Sequence, residues 1–309
     1  MCILFATTAH PKYKLVLISN RDEYFARKTH TTCWSHNDSI LAPYDMALQD
    51  ADGLDHGSPC GTWIGINRAG HVSVLLNLAP KDADGDHGYS HRHSRGAVTM
   101  EYLKDFDHNN WDSWNTYEKF GAHFPTLYKT KLFTHFYGDV VNSQFSVINS
   151  LGQTLDPFSQ SPYYVVSNGP SDGAKALGQW PKVVEGNQLF KKMIQESLDV
   201  SEEELLQRCF NLASYSQYVS NQPIGVHDDS IPKRTIFVPA LYNLSGQANL
   251  SFAAGMYYGT RSTIVMLVSE DGNVVTREHV IHDSDQDLDS YSILNPKEQV
   301  THRFSLQMH

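Results

Sequence analysis

A cysteine stands second in the chain, at the start of the apolar run CILFA, where a thiol can act as a self-contained nucleophile. Once the initiator methionine is removed, Cys2 carries both its thiol and a free α-amine, which titrates near ~8 and can accept the thiol proton. The alternative is structural, because free cysteines are commonly buried as small apolar residues. Position alone favours the structural alternative, so the residues expected beside Cys2 must decide.

The stretch NRDE, residues 20–23, is the second candidate, because it ends the apolar run KLVLIS. Residues 2–9 and 14–20 are predicted to form two strands joined by the turn HPKY. If the two strands pair as an antiparallel hairpin, the NRDE residues return to the side of Cys2. Taken alone, an Arg-Asp-Glu run after a strand is more often a solvated turn.

Two residues of this stretch could change the reactivity of the thiol. Arg21 would lower the pKa of Cys2 by favouring its thiolate, and Asp22 would orient the α-amine by a charge-assisted hydrogen bond. Adjacent residues of a regular strand face opposite sides of a sheet. A bend or bulge at Asn20 would therefore be needed to bring both side chains to Cys2.

The elements along the chain predict strands at both ends with helices grouped between them. A loop-rich region is expected to about residue 59, followed by a hairpin in TWIGINRAGHVSVLLN and by short helices in AVTMEYLKDF and WNTYEKFGAHF. Helices are expected in LFKKMIQESL and in SEEELLQRCFNLASY, where Ser201 and Glu204 fit a capping box. The runs YYVVSN, RTIFVPALYN and STIVMLVSEDGNVVTREHVI are predicted strands. This order favours an α+β sandwich over alternating βαβ units, in a single domain spanning residues 1–309.

Composition excludes several classes of function. The 309 residues are 40% hydrophobic and 19% charged, which is typical of a packed globular protein. The net charge of −10 argues against nucleic acid as the main partner, since phosphate binding requires a basic footprint. No stretch reaches the ~20 apolar residues of a membrane span, and the opening run is too short for a signal peptide. We therefore expect a cytoplasmic protein that is not secreted, with its four cysteines reduced.

Several segments in order resemble the NRDE family, which is also called the transport and Golgi organisation 2 family. They are MCILF, ISNRDEYFAR, CGTWIGIN, HSRGAV, VSNGP followed by WPKV, and YGTRSTIVMLVSEDG, and they extend from residue 2 to about residue 276. The resemblance implies the sandwich of the N-terminal-nucleophile (Ntn) hydrolases, with two stacked antiparallel sheets and helices outside. More distantly, the chain resembles the bile-salt hydrolase and penicillin V acylase group.

The resemblance also implies roles for particular residues. Cys2 corresponds to the nucleophile, and Arg21 and Asp22 to its electrostatic partners. Asn77 stands where an oxyanion-binding asparagine is expected, and Asn168 resembles the asparagine that bonds the α-amine or the oxyanion. The late arginine that faces the nucleophile corresponds to Arg261.

Three further residues, Asn20, Glu23 and Trp63, are predicted to contact the substrate, although a tryptophan more often packs in a core. The sequence departs from the family pattern at Cys60, Lys28 and Leu78, which stand where Gly, Pro and a more polar or aromatic residue are usual. These departures would change the wall of the pocket and leave the proposed nucleophile in place.

No metal or cofactor is predicted. His87, His91 and His93 lie in a polar loop without an accompanying carboxylate pattern, and DADGD lacks the closing Glu of a calcium loop. The sequence contains no glycine-rich nucleotide-binding motif.

Two functions remain open from the sequence. As an enzyme, Cys2 would attack an amide or a thioester such as acyl-CoA, in keeping with the role in lipid and acyl-CoA homeostasis that the resemblance implies. As a carrier, the same scaffold would bind acyl-CoA or haem without turnover, because a fold does not determine a function. The resemblance further implies an effect on Golgi organisation and secretion, which a lipid-mediated route would explain, with a location at the mitochondrion or the Golgi.

Overall fold

Two antiparallel sheets form the centre of the molecule. The computed structural model describes residues 2–46, 61–78, 94–130, 132–169, 180–218, 230–242 and 255–307. The first sheet has the order β10 (Tyr163–Ser167), β1 (Cys2–Thr7), β2 (Tyr13–Tyr24), β12 (Tyr257–Ser269), β13 (Asn273–Val280) and β14 (Glu298–Ser305), with β11 (Leu241–Tyr242) paired to β12. The second has the order β3 (Thr29–Ser35), β4 (Ile40–Asp45), β5 (Ile64–Asn67), β6 (His71–Asn77), β7 (Phe133–Asp139), β8 (Gln144–Asn149) and β9 (Thr154–Leu155).

Helices cover the outer face of each sheet. The helices α3 (Pro181–Gln195) and α4 (Glu202–Ala213) pack on the first sheet, and α1 (Gly96–Leu103) and α2 (Tyr117–His123) pack on the second. The short helix α5 is Ile231–Arg234, and within the described ranges 3-10 turns lie at His108–Ser113, Leu127–Lys129 and Leu288–Ser290. Among the helices of the described residues, none has the length and apolar character needed to cross a membrane.

The alternation of side chains along the strands produces three apolar layers. On β1, Leu4 and Ala6 join the core between the two sheets, whereas Ile3 and Phe5 point to the helices α3 and α4. Both faces of β1 are therefore buried, which is why its sequence is a continuous apolar run rather than an alternating one. The predicted α+β sandwich is confirmed by these helix, sheet, sheet and helix layers.

Several predicted elements are confirmed. The first hairpin forms, although its strands are Cys2–Thr7 and Tyr13–Tyr24 rather than residues 2–9 and 14–20. The hairpin of TWIGI and HVSVLLN forms as β5 and β6. Ser201 caps α4 by accepting a hydrogen bond from the backbone N–H of Glu204 at 3.2 Å.

Two expectations were wrong. The region expected to be rich in loops up to residue 59 contains β3 and β4. The edge strand β3 is half-exposed and has a polar sequence, so it lacks the apolar run from which strands were predicted. The run RTIFVPALYN forms strand only at Leu241–Tyr242, since Pro239 has no N–H for a ladder and Val238 donates instead to the hydroxyl of Thr260. Cys60, the histidines at 87, 91 and 93, and the DADGD segment lie outside the described residues.

Candidate active site

The strands on either side of β1 bring the predicted residues to Cys2. In the β1–β2 register Cys2 lies opposite Arg21, so the predicted return of NRDE to Cys2 is confirmed. On the other side β10 pairs Ser167 with Ile3, which places the next residue, Asn168, at the end of β1. The backbone N–H of Cys2 donates to Oδ1 of Asn168, and the hydroxyl of Ser167 donates to the Cys2 carbonyl at 2.6 Å. Two neighbouring strands therefore fix the backbone of Cys2.

Asn168 also joins the two sheets at this point. Its side-chain Nδ2 donates to the backbone carbonyl of Asn77, the last residue of β6 in the second sheet. Asn168 is 2% exposed, so its amide is held between Cys2 and Asn77 away from solvent. The two asparagines that the sequence singled out are thus brought into contact with each other, and one of them with Cys2.

A cavity of about 270 Å³ opens beside Cys2, between the ends of the two sheets. Its wall combines the apolar side chains of Trp63 and Leu75 with charged groups of both signs. Those charged groups are Arg21, Arg27, Arg95, Asp22, Glu23 and Asp45, and Asn77 also lines the cavity. Such a mixture of a few convergent polar groups with apolar walls is typical of a small-molecule site.

Ion pairs hold the cationic side of the cavity together. Nη2 of Arg27 lies 2.6 Å from Oδ2 of Asp45, and Nη1 of Arg27 lies 3.3 Å from Oε2 of Glu23. Nη2 of Arg21 is more distant from the same two carboxylates, at 3.8 Å from Glu23 and 3.9 Å from Asp45. Glu23 consequently has a pKa below its usual range, because the charges of Arg21 and Arg27 outweigh its burial.

Arg21 retains a donor that the protein does not use. Its guanidinium lies 4.5 Å from the ring centroid of Trp63, and Nη1, although buried, has no hydrogen-bond partner among the described residues. A buried donor without a partner costs free energy, and an anionic or carbonyl group in the cavity would satisfy it. Trp63 therefore lines the cavity and supports Arg21, rather than serving only as core.

The NRDE side chains alternate between the two faces of the first sheet. Arg21 and Glu23 point to the second sheet, where they meet Trp63 and Asp45. Asp22 points the other way, and its Oδ1 accepts a hydrogen bond from the hydroxyl of Thr260 at 2.7 Å.

β2 has no bulge at Asn20 against either neighbouring strand, so the condition for both side chains to reach Cys2 is not met there. Asn20 pairs regularly with Ile3 and with Thr263, and the register shift lies opposite Arg21 and Asp22, between Thr260 and Ser262 of β12. The extra residue there, Arg261, lets β12 follow β2 to its end without disturbing the register of β2 against β1.

Asn20 is not among the described residues that line the cavity. Its side-chain Nδ2 donates to the carbonyls of Ala213 at 2.9 Å and Ile236 at 3.1 Å, and its Oδ1 accepts from Thr263. All the hydrogen-bonding atoms of its amide are thus engaged in joining the first sheet to the helical layer. Its predicted contact with a substrate stays untested, and its geometry is that of a structural residue.

Arg261 is buried near Arg21 and likewise does not line the described wall of the cavity. Its Nη1 donates to the hydroxyl of Thr29, and its carbonyl accepts from the backbone of Ile281 at 2.8 Å. Burial and the charge of Arg21 lower the pKa of Arg261 to about 10. The structure therefore brings Arg261 close to Arg21, and its predicted place facing the nucleophile stays a prediction.

Burial sets the protonation of the thiol. It raises the pKa of Cys2, and the opposing effects of the positive N-terminus, of Arg21 and of a hydrogen bond from the backbone of Asp22 do not cancel it. Arg21 does act to lower the pKa of Cys2, as expected, but desolvation is the larger effect and the net pKa is raised. In this environment Cys2 is a thiol at neutral pH, and a base must remove its proton before it can attack a carbonyl.

Lys182 lies beneath this site, in the WPKV segment of the family resemblance, which implied no role for it. Its ammonium, at the start of α3, is fully buried, with Nζ 3.6 Å from Oδ2 of Asp22. Burial lowers its pKa, while the charges of Asp22 and Cys2 act in the opposite direction. A lysine in the first turn of an amphipathic helix is ordinarily solvated, so only the packing of α3 on the first sheet reveals it.

Arg95 is the second residue that the sequence did not indicate. It precedes α1, whose start lies against Gly61 so closely that a Cβ on Gly61 would stand 3.0 Å from the backbone of Gly96. This approach brings the Arg95 side chain to the cavity, where burial, reinforced by the charge of Arg27, lowers its pKa to about 10. The cavity thus has a third arginine from the second sheet's helical layer.

The sequence matches the family described as Transport and Golgi organisation 2 over residues 1–283. The chain belongs to this family. An uncharacterized protein of Saccharomyces cerevisiae is 40% identical over 320 residues, covering 99% of this chain and 100% of the relative. The Transport and Golgi organization protein 2 homolog of Homo sapiens is 26% identical over 332 residues, covering 99% of this chain and 100% of the relative.

Solved structures with a similar arrangement are hydrolases and acylases. A conjugated bile acid hydrolase from Clostridium perfringens gives a TM-score of 0.47 at 11% identity, covering 99% of this chain and 97% of that chain. A penicillin V acylase from Agrobacterium tumefaciens gives 0.43 at 11% identity, covering 100% and 93%. Likeness at this level carries no conclusion about chemistry, which has to come from the site itself.

Proposed function

We propose that this member of the family is a cysteine hydrolase of the N-terminal-nucleophile type, which cleaves an amide or a thioester of an acyl, lipid-like substrate. One observation carries the proposal. The nitrogen of Cys2 is held by Asn168 at the edge of a cavity that Cys2 itself lines, so the nucleophile and its nitrogen occupy one anchored position.

The reaction would begin with transfer of the thiol proton of Cys2 to its own α-amine, after removal of Met1. The thiolate then attacks the substrate carbonyl carbon, and the carbonyl oxygen becomes an oxyanion that Asn77 and Asn168 are proposed to stabilise. Collapse of this intermediate breaks the C–N or C–S bond, and the leaving group takes the proton from the ammonium. Water hydrolyses the resulting thioester on Cys2 and restores the thiol.

The arginines favour a substrate with an anionic part. Arg21 offers its unpartnered Nη1, and Arg95 brings a second guanidinium to the same wall. A carboxylate or a phosphate is the group that a planar guanidinium binds best, by two parallel hydrogen bonds. Acyl-CoA combines such phosphates with a thioester, and it is the substrate class that we propose.

A carrier function is the second candidate, and the raised pKa of Cys2 supports it, because a thiol that stays protonated binds without attacking. In this alternative the arginines hold acyl-CoA or haem in the cavity and no covalent step follows. Either function would act on Golgi organisation through lipid or ligand supply, in the cytoplasm or at the mitochondrion or the Golgi.

Intact mass spectrometry before and after incubation with a medium-chain acyl-CoA separates the two candidates. If the protein is an enzyme, we expect loss of Met1 and a mass gain of one acyl group. The acyl group should be absent in Cys2→Ala. It should remain in Cys33→Ser, which changes a free cysteine outside the cavity wall that the structure describes. Retention of Met1, or tight binding without an acyl adduct or release of free CoA, would support the carrier instead.

The role of Arg21 has a matched control. Arg21 lies over Trp63 inside the cavity. Arg68 makes the same kind of contact with Trp34, 4.1 Å from the ring centroid, and does not belong to the described wall of the cavity. Arg21→Gln should weaken acyl-CoA binding at least about tenfold, since a charge-assisted hydrogen bond is worth about 1.5–3 kcal/mol. Arg68→Gln should leave binding unchanged, and equal losses in both variants would contradict the assignment.

A further inference from the structure

A cluster of two histidines and an aspartate lies on the outer side of the second sheet, away from the described wall of the Cys2 cavity. His71 begins β6 and is opposite Asp139, the last residue of β7, in the strand register. His108 begins the 3-10 turn His108–Ser113, which packs over this end of the sheet. One potential ligand atom from each of the three residues lies within 4.8 Å of the others.

Two nitrogens of this cluster have no partner. Nδ1 of His71 and Nε2 of His108 are buried without a hydrogen bond to any described residue, and the hydroxyl of Tyr102 beside them is in the same condition. His71 is 3% exposed and its ring stacks on Tyr102 with centroids 5.1 Å apart, so the imidazole is confined. A buried nitrogen left unpaired costs about 1–3 kcal/mol, which a cation bound to Nδ1 of His71 would recover.

The carboxylate is already oriented for coordination. Oδ1 of Asp139 accepts the backbone N–H groups of Val141 at 2.9 Å and Asn142 at 3.2 Å. Its Oδ2 accepts the side-chain amide of Asn142 at 2.8 Å and lies 2.8 Å from Nδ1 of His108. The hydrogen bonds from Val141 and Asn142 fix the direction of the carboxylate, as they do around ligating carboxylates in metal sites. An ion bound between Oδ2 and Nδ1 of His108 would take the place of their direct contact.

We propose that His71, His108 and Asp139 bind a divalent transition-metal ion of the Zn²⁺ class. Two imidazole nitrogens and one carboxylate oxygen are donors that suit such an ion, and they are a poor set for Mg²⁺ or Ca²⁺, which prefer oxygen ligands alone. Bonds of ~2.0–2.2 Å at tetrahedral angles place donors about 3.3–3.6 Å apart. The present spread of up to 4.8 Å requires a small closure, which His108 can make because its side chain is 18% exposed on a short turn.

The site would have three protein ligands and one position open to water or to an exogenous ligand. It ties the 3-10 turn to the ends of β6 and β7, so the bound ion stabilises the helical layer over the second sheet. It is independent of the proposed chemistry at Cys2, and its test does not depend on hydrolase or carrier activity.

Metal binding is tested on the full chain after removal of metals with EDTA, by titration with Co²⁺ and by the Zn²⁺ content after dialysis. We expect one ion per chain, a tetrahedral Co²⁺ absorption spectrum and a higher Tm with Zn²⁺ than without it. His108→Ala and Asp139→Asn should each weaken Zn²⁺ affinity at least about tenfold and abolish the Zn²⁺-dependent rise in Tm. The circular dichroism of the metal-free variants shows whether each of them still folds.

Two control variants make the result specific. A triple variant with His87, His91 and His93 each changed to Ala removes the other histidine cluster of the sequence and should keep both signals. Cys2→Ala removes the thiol of the proposed active site and should keep them as well. The proposal is overturned if wild type binds no Co²⁺ or Zn²⁺, if the spectrum persists in His108→Ala, or if it disappears in the triple variant.

Discussion

The buried pair of Lys182 and Asp22 gives the sharpest test of how this site is built. Both side chains are fully buried, and their charged atoms lie 3.6 Å apart under the strand that ends beside Cys2. Asp22→Asn keeps the shape of the side chain and its hydrogen bond with Thr260, but it leaves the ammonium of Lys182 buried without its counter-charge. Lys182→Met removes the cation instead, at nearly constant volume.

The magnitude follows from the separation. Two unit charges 3.6 Å apart interact by roughly 4.6 kcal/mol at an effective dielectric constant of about 20. Removing one partner of a buried pair typically costs about 3–5 kcal/mol, because the remaining charge is uncompensated. We therefore expect each single variant to lose about 3–5 kcal/mol of unfolding free energy at pH 7. The double variant should lose less than either, since no buried charge remains in it.

The pH dependence has a definite sign for Asp22→Asn. Burial lowers the pKa of Lys182 and Asp22 raises it, so the variant lowers it further below its unfolded value of ~10.4. At neutral pH the unfolded chain carries a protonated Lys182, and folding must either bury this charge or remove its proton, which lowers the free energy of unfolding. This cost disappears as the pH rises towards the unfolded pKa, where the unfolded lysine also loses its proton. The loss in Asp22→Asn should therefore be largest near pH 7 and shrink towards about pH 10.

Urea denaturation of the wild type, both single variants and the double variant, at about pH 7 and pH 9.5, provides the measurement. The control is the pair Lys192 and Glu196 near the end of α3, whose charges are 3.9 Å apart but largely exposed. Breaking that pair should change stability little, because solvent screens it. A loss below about 1 kcal/mol in Asp22→Asn at pH 7, or additive losses in the double variant, would refute the assignment of a buried ion pair.

Three further changes test the thiol, the second sheet and the helical layer. Burial raises the pKa of Cys2, so the rate of its alkylation by iodoacetamide, followed by mass spectrometry, should still increase above about pH 9. In Arg21→Gln the increase should occur at higher pH, and a rate that reaches its plateau near neutrality would contradict this. Gly138→Ala should cost about 1–3 kcal/mol in thermal denaturation, as its Cβ would lie 2.4 Å from the backbone oxygen of Gln144; an unchanged Tm would show that β8 yields. Phe190→Ala should cost about 3–5 kcal/mol in urea, and a loss below 1 would mean that α3 packs loosely.

The sequence predicted the parts of the site that depend on local pairing. A short antiparallel hairpin determines its own register, so the neighbourhood of Cys2 and Arg21 followed from the spacing alone. Asn168 came from the family resemblance, because its place at the end of β1 depends on a strand more than 150 residues away in the chain. Lys182 and Arg95 could not be found in this way, since each is positioned by a helix packing onto a sheet and local sequence does not encode that contact.

Because the NRDE side chains alternate between the two faces of the first sheet, substitutions at these four positions of this chain test different contacts. Asn20 and Asp22 contact the helical layer and its lysine, whereas Arg21 and Glu23 face the second sheet. Asp22 also lines the cavity, with Arg21 and Glu23. Four consecutive residues thus serve two different neighbours, and loss of activity on replacing Asn20 would report damage to the packing as readily as damage to the chemistry. Only Arg21 combines contact with the cavity and an unused donor. A variant at Arg21 that folds with normal stability and loses its ligand is therefore the substitution that can distinguish a binding defect from a structural one.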